Sequence, residues 1–263
     1  SLLFGILSTY LNMKGIVPSR QLFGMLIGAF IIVAVGIVDD IKQLGPRLKL
    51  VFQIMAALSV IFISDIRIVN ITNPFAEGGT TQFNDFVSYP LTVLWIVGVT
   101  NAINLIDGLD GLAAGISSIS YLSLFFVSLI TGDTASAMLT VVLAGATLGF
   151  LPYNFNPAKI FMGDTGATFL GFTLAVISVQ GMLKSYAALS IAVPLLVLGL
   201  PLFDTISTIF RRALNRKPIM QPDRGHLHHK LIDMGYSQKQ TVLVMYSLSG
   251  ALGLSAIVLA DKG

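Results

Sequence analysis

The chain has no cysteine, which excludes disulfides and thiolate metal sites. It is also poor in charge: Asp, Glu, Lys and Arg make up 11% of its 263 residues, less than half of what a soluble domain carries on average, about 25%. It has one tryptophan and three histidines, and all three histidines fall within 226–229. No basic stripe interleaved with aromatics runs along it, which argues against nucleic acid as a partner. Internal repeats and low-complexity stretches are missing too. The chain opens on Ser1 without a cleavable signal pattern, the apolar stretch 2–13 reads as the tail of a longer helix, and the last apolar stretch stops almost at Gly263. The expectation is a piece trimmed at both ends.

Apolar sequence fills the rest. Hydrophobic residues are 54% of the chain and the mean hydropathy is +0.83. About 20 helical residues cross about 30 Å of hydrocarbon, and a helix satisfies its own backbone there. Approximate spans fall at 2–13, 21–38, 50–64, 90–106, 112–130, 135–151, 166–183, 187–210 and 241–260. An all-α polytopic membrane protein follows, read as one domain over 1–263. Pro194, Gly199 and Pro201 predict a bend in 187–210. Between spans, the alternating runs from Arg67 to Thr72 and from Thr81 to Val87 flank Gly78-Gly79 and predict a small hairpin.

Each span reverses the side. Segments 39–49, 107–111, 152–165 and 211–240 then share one face, with eleven of the sixteen Lys and Arg residues. The excess of positive charge makes that face cytoplasmic, and the net charge of +3 becomes chiefly a topology signal.

The clustered polar residues lie on the same face. Asp39-Asp40 closes the span 21–38, with Lys42, Arg47 and Lys49 close behind. Adjacent carboxylates beside an apolar run must be solvated, paired or metal-linked; the pair reads either as a solvated cap or as a general base beside a phosphate-binding cation. Next comes Asn101-Ala-Ile-Asn104-Leu-Ile-Asp107-Gly-Leu-Asp110-Gly111. If the helix persists to its end, Asn104 and Asp107 share a face. A turn-and-cap reading accounts for Asp110 and the glycines but poorly for Asn101 and Asn104. The third motif runs from Asn154 through Lys159 to Gly163-Asp164-Thr165-Gly166; Asp164 or Thr165 reads as the cap of a helix beginning near 166, or Asp164 as a ligand for a hard cation. The fourth holds His226, His228 and His229 in a long loop. Three histidines in one short segment converge poorly on zinc and have no cysteine to help, so contact with an anion or substrate is the stronger reading over a solvated loop. Asp204, inside the span 187–210, is a functional candidate because it is ionisable there; it also reads as a partner for Arg211 or Arg212.

Carboxylates and amide oxygens suit Mg²⁺ or Mn²⁺, and Lys, Arg and His suit phosphate. Such a site at a membrane face fits phosphoryl transfer between a soluble nucleotide-linked donor and a lipid phosphate. A transporter is the rival class, but transporters place their site near the bilayer midplane. A catalytically dead scaffold is a second rival, against which the retained polar residues speak.

At VDDIKQLGPRLK (38–49), NAINLIDGLDGLAAG (101–115), NFNPAKIFMGDTGATFLG (154–171), PLFDT (201–205) and HLHH (226–229), the chain resembles the polyprenyl-phosphate N-acetylhexosamine-1-phosphate transferases. The likeness is strongest to the undecaprenyl-phosphate N-acetylglucosamine-1-phosphate enzymes that initiate teichoic-acid linkage units or O-antigen and related polysaccharides. It implies transfer of a sugar-1-phosphate from a UDP-N-acetylhexosamine to undecaprenyl phosphate with release of UMP, at the cytoplasmic face of a bacterial plasma membrane. Asp164 and Asn104 would hold Mg²⁺, with Mn²⁺ as a substitute. Asp39 would be the base for the lipid phosphate, supported by Asp40, and Lys49 would hold that phosphate. Asp107 and Asp110 would serve the nucleotide side or maintain the site, and Asn101 and Lys159 join the substrate-binding candidates. His226, His228 and His229 match the His-x-His-His pattern of the N-acetylglucosamine branch; the phospho-MurNAc-pentapeptide branch has three consecutive histidines, so Leu227 argues against that donor. The bent span would help form a lipid groove. The resemblance further implies a homodimer, and helices beyond both ends of this sequence.

Overall fold

A computed structural model describes residues 19–72, 80–184, 191–216, 218 and 225–262. The predicted span 2–13 lies outside the described residues. Ten helices and one hairpin follow in order among those described: α1 (Ser19–Lys42), α2 (Pro46–Ser64), β1 (Asn70–Thr72), β2 (Thr80–Gln82), α3 (Asp85–Ile106), α4 (Leu112–Ile130), α5 (Thr134–Asn154), α6 (Gly163–Lys184), α7 (Ala192–Val197), α8 (Gly199–Leu214), α9 (Leu227–Asp233) and α10 (Gln238–Lys262). Seven of these helices are long and apolar enough to cross a membrane. The protein is an all-α polytopic membrane protein.

Local chemistry sets the helix ends. Pro46 occupies the first turn of α2, where a missing N–H costs nothing. Asn84 caps α3 by accepting from Val87 N at 3.1 Å, and Asp85 places a negative charge in its first turn. Ser237 and Gln240 cap α10 reciprocally, with Gln240 N donating to Ser237 Oγ at 3.3 Å and Ser237 N to Gln240 Oε1 at 2.9 Å. The hairpin forms as predicted, with Asn70 opposite Gln82 and Thr72 opposite Thr80; its second strand stops at Gln82, because Phe83 leads into the α3 cap.

The span 187–210 is a correction. Its described part is not one bent helix but two short ones, α7 and α8, meeting at Leu198. Pro194 and Pro201 remove backbone donors on either side of Gly199, so the ladder breaks instead of bending. α8 is also inverted relative to a helix in water. Phe203, Ile206, Phe210 and Leu214 face outward, while Asp204, Thr205, Thr208 and Arg212 are buried.

α6 is the central helix: 83% of its spanning window is buried. It packs against α1 on one side and α3 on the other, while α4 packs between α5 and α10. Some buried polar groups in this interior are hydrogen-bonded across helices. Tyr121 Oη donates to Leu170 O at 3.1 Å and lies 2.6 Å from Thr173 Oγ1; Trp95 Nε1 donates to Ser178 Oγ at 2.9 Å. Such bonds locate neighbours where lipid and protein are equally apolar. The approach of α1 to α6 depends on Gly36: a Cβ there would lie 2.5 Å from Thr165 Cα.

Candidate active site

The end of α1, the start of α2, the end of α3 and the start of α6 meet at one place. Lys49 Nζ, one turn into α2, donates to Asp164 Oδ2 at 2.6 Å and forms an even closer ion pair with Asp39. Asn104 Nδ2 donates to the other oxygen of Asp164 at 3.0 Å. Asp39 is only 4% exposed, and its Oδ1 accepts from Leu44 N at 2.7 Å, which closes the turn between α1 and α2. Asp164 is more open, with 36% of its side chain exposed. A small cleft behind these groups is lined by Gly36, Asp39, Lys49, Gln53, Asp164 and Thr168. One ammonium between two carboxylates offsets their repulsion and holds all three side chains in register.

Asp40 turns away from this cluster. Its carboxylate accepts from Asp164 N at 2.8 Å, Thr165 N at 3.3 Å and Thr165 Oγ1 at 2.6 Å. α6 therefore starts at Gly163, three residues before the expected point. Its cap comes from α1, not from Asp164 or Thr165, which leaves Asp164 free to face Lys49. The adjacent carboxylates divide the work: Asp39 faces the ammonium, and Asp40 fixes the helix that carries Asp164.

Asn101 lies one turn before Asn104 and exchanges hydrogen bonds with Gln53, at 2.6 Å from Asn101 Nδ2 to Gln53 Oε1 and 3.3 Å in return. Gln53, which sequence reasoning did not single out, belongs to the site; its signal was a lone amide inside an apolar span. The α3 helix ends at Ile106, so Asp107 is its C-cap and does not continue the face of Asn104. Burial, and then the charges of Asp164 and Asp110, push the Asp107 carboxyl up to about 7. Asp110 points to the 154–158 loop, accepting from Asn156 Nδ2 at 3.0 Å and Ala158 N at 3.1 Å. Asn154 Oδ1 accepts from Gly111 N at 3.2 Å, and Tyr246 Oη donates to Gly111 O at 2.5 Å. The acidic turn is thus held by two neighbouring elements. Lys159 is exposed on that loop and is not drawn to the Asp39–Lys49–Asp164 cluster.

The histidines dock from α9. His226 Nδ1 lies 2.8 Å from Asp204 Oδ2, and Asp204 Oδ1 accepts from Leu227 N at 2.7 Å. The rings of His226 and His228 stack with centroids 5.7 Å apart, and that of His229 lies 4.2 Å from His228. His228 is 1% exposed and abuts the acidic turn: a Cβ on Gly108 would sit 2.5 Å from its Nε2. Among the described residues no three His, Asp or Glu side chains are grouped to hold a metal by themselves.

Burial, and then the neighbouring His229, lower the His228 imidazole to about 4. The folded protein therefore binds fewer protons than the unfolded chain between about pH 4 and 6.5, and stability falls as pH drops through that window. The full shift corresponds to a loss on the order of 3 kcal/mol by pH 4. Thermal unfolding in detergent from pH 7 to 4.5 is expected to show the decline, and His228→Leu to flatten it. An unchanged slope in the variant would assign the acid sensitivity elsewhere.

Residues 22–182, from α1 nearly to the end of α6, match the model for glycosyl transferase family 4. The chain belongs to glycosyl transferase family 4. The match takes in the Asp39–Lys49–Asn104–Asp164 cluster and stops before the histidines. The chain is similar to a probable undecaprenyl-phosphate N-acetylglucosaminyl 1-phosphate transferase of Bacillus subtilis (strain 168), 43% identical over 94% of this chain and 68% of that protein. A decaprenyl-phosphate N-acetylglucosaminephosphotransferase of Mycolicibacterium smegmatis is 35% identical, over 95% of this chain and 66% of its own length. A phospho-N-acetylmuramoyl-pentapeptide-transferase of Staphylococcus aureus (strain Newman) is 34% identical over 84% and 71%. The chain thus spans about two thirds of the length of the curated relatives it matches. These relatives make it a member of a family of transferases.

Proposed function

We propose that this family 4 protein transfers N-acetylglucosamine-1-phosphate from UDP-N-acetylglucosamine to undecaprenyl phosphate, releasing UMP, at the cytoplasmic face of a bacterial plasma membrane. The observation that carries the reading is the Asp39–Lys49–Asp164–Asn104 cluster at the ends of four helices. The names of the B. subtilis and M. smegmatis relatives supply the acceptor and sugar classes, and the His-x-His-His run favours this donor over a phospho-MurNAc-pentapeptide.

The residues fit Mg²⁺. Asp164 is half open and Asn104 adds an amide oxygen once its side chain turns over, a small oxygen set of the kind Mg²⁺ accepts when phosphate and water complete its shell. Burial raises the Asp107 carboxyl first, and the charges of Asp164 and Asp110 add to it; a divalent ion at Asp164 would offset that smaller, electrostatic part. Bound there, Mg²⁺ supplies charge neutralisation on the donor pyrophosphate.

The protein's own groups do the rest. Asp39 receives the proton, if one remains, from the acceptor phosphate. An oxygen of that phosphate then attacks the donor's β-phosphorus in line. The bond to the bridging oxygen breaks, and its electron pair leaves with UMP. Lys49, already between the two carboxylates, lies within reach to share its donors with the incoming phosphate. Asp40 and Gln53 hold the helix ends still. The outward apolar stripe of α8, with its polar face turned inward, suits a lipid tail approaching from the bilayer.

The test is label transfer from UDP-N-acetyl[¹⁴C]glucosamine to undecaprenyl phosphate by the protein in detergent, with and without Mg²⁺. Metal-dependent label in the lipid phase with stoichiometric UMP is expected. Transfer only from another UDP-N-acetylhexosamine would correct the donor, and no transfer from any would overturn the reading.

A further inference from the structure

We propose that Asp204 is a positioning residue that sets the tautomer of His226 and, through it, seats the histidine turn on the acidic turn at Gly108. The inference rests on the reading above in one respect, that the histidine turn serves the transfer reaction. Its geometry is independent of that reading.

Asp204 is 3% exposed, on the inward face of α8. A carboxylate so buried needs partners for both oxygens. It has them: Oδ2 lies 2.8 Å from His226 Nδ1, and Oδ1 accepts from Leu227 N at 2.7 Å. An ionised carboxylate only accepts, so His226 carries a proton on Nδ1, and whenever the ring is neutral Nε2 is its lone-pair nitrogen. A ring held on one side by a carboxylate has one orientation and one tautomer. His226 is also buried and stacks on His228 with 10° between the ring planes. His228 in turn fills the space over Gly108. The chain of contacts therefore runs from Asp204 through His226 and His228 to the turn that carries Asp107 and Asp110. None of the steps assigned above uses Asp204.

The two oxygens make the idea separable from simple anchoring. Asp204→Asn has one acceptor. If it stays on Leu227 N, the new NH₂ faces His226 Nδ1, which must become the unprotonated nitrogen. The variant keeps α9 anchored and reverses the tautomer. Asp204→Ala loses both bonds.

The full chain is prepared in lipid nanodiscs with ¹⁵N-histidine, where three histidines give a simple spectrum and His226→Gln assigns one of them. The wild type is expected to show His226 as the Nδ1–H tautomer, and Asp204→Asn to convert it to Nε2–H. Transfer by Asp204→Asn is expected to fall about 10- to 100-fold. Combined with His226→Gln it is expected to fall no further than His226→Gln alone, since a residue acting through another is not additive with it. An unchanged His226 spectrum in Asp204→Asn, or losses that multiply in the double variant, would overturn the inference. A wild type without transfer would instead remove the functional reading, while the nitrogen spectra still decide whether Asp204 sets the tautomer.

Discussion

Asp164→Ala is expected to abolish metal-dependent transfer, lowering kcat/KM by roughly 10³-fold or more, as loss of a principal charge-stabilising group does. The structure concentrates three dependencies on this carboxylate. Lys49 and Asn104 both donate to it, and it is far more open than Asp39. Removing it leaves Lys49 paired with Asp39 alone, so the proposed base becomes more tightly held as the proposed cation site is lost. Asp164→Asn keeps an oxygen for Lys49 but not the charge, and is expected to fail nearly as completely. Because Asp164 is partly exposed and Asp40 caps the backbone of α6 independently, the protein should still fold, with a melting temperature close to wild type. Label transfer and thermal unfolding on the same samples check both statements. Near-normal turnover in Asp164→Ala would remove Asp164 as the essential ligand.

Gly36→Ala is expected to cost activity out of proportion to its single methyl group. The added carbon would lie 2.5 Å from Thr165 Cα and 3.0 Å from Thr165 Oγ1. The first of these is backbone, so no rotamer change relieves it and the start of α6 must move away from α1. That movement separates Asp164 from Lys49 and Asp39 and pulls Thr165 from Asp40. Overpacking of this kind costs about 1–3 kcal/mol of stability, and a misplacement of about 1 Å at a reacting centre costs about 10²-fold in rate. Gly145→Ala, on a face of α5 with open space around it, is the control: it should leave transfer unchanged and stabilise its helix by up to about 1 kcal/mol. Equal activity in the two variants would show that the α1–α6 contact does not set the geometry.

Much of the site was legible because charge is so costly in this chain. A carboxylate or amide at the edge of an apolar run has few ways to be satisfied, so Asp39, Lys49, Asn104 and Asp164 stood out one by one, and the alternation of spans put them on one face. The structure brings these four into contact. What it does with their neighbours was not legible. Asp40 and Asp39 are adjacent in sequence and have identical chemistry, yet the helix turn sends one to Lys49 and the other to a helix start 124 residues away. Asn101 stood out without a partner, and the structure supplies one in Gln53, a residue the sequence did not bring forward. Asp204 had Arg211 and Arg212 as its nearest charged candidates, but its oxygens hold His226 and Leu227.

The amino-acid sequence by itself determined the class of the protein, seven described helices long and apolar enough to cross a membrane, the strand pairing, and the polar residues that gather at the helix ends. These follow from local quantities: transfer free energy along about 20 residues, turn chemistry, and the cost of a buried charge. Only the tertiary structure decided which helix end caps which, where the 187–210 span breaks, and how the histidine turn is seated. In lipid, a helix face that packs on protein and one that packs on acyl chains are equally apolar, so the sequence pattern does not say which neighbour a face will meet. Close backbone approaches such as Gly36 on Thr165, and hydrogen bonds across more than a hundred residues, make that choice.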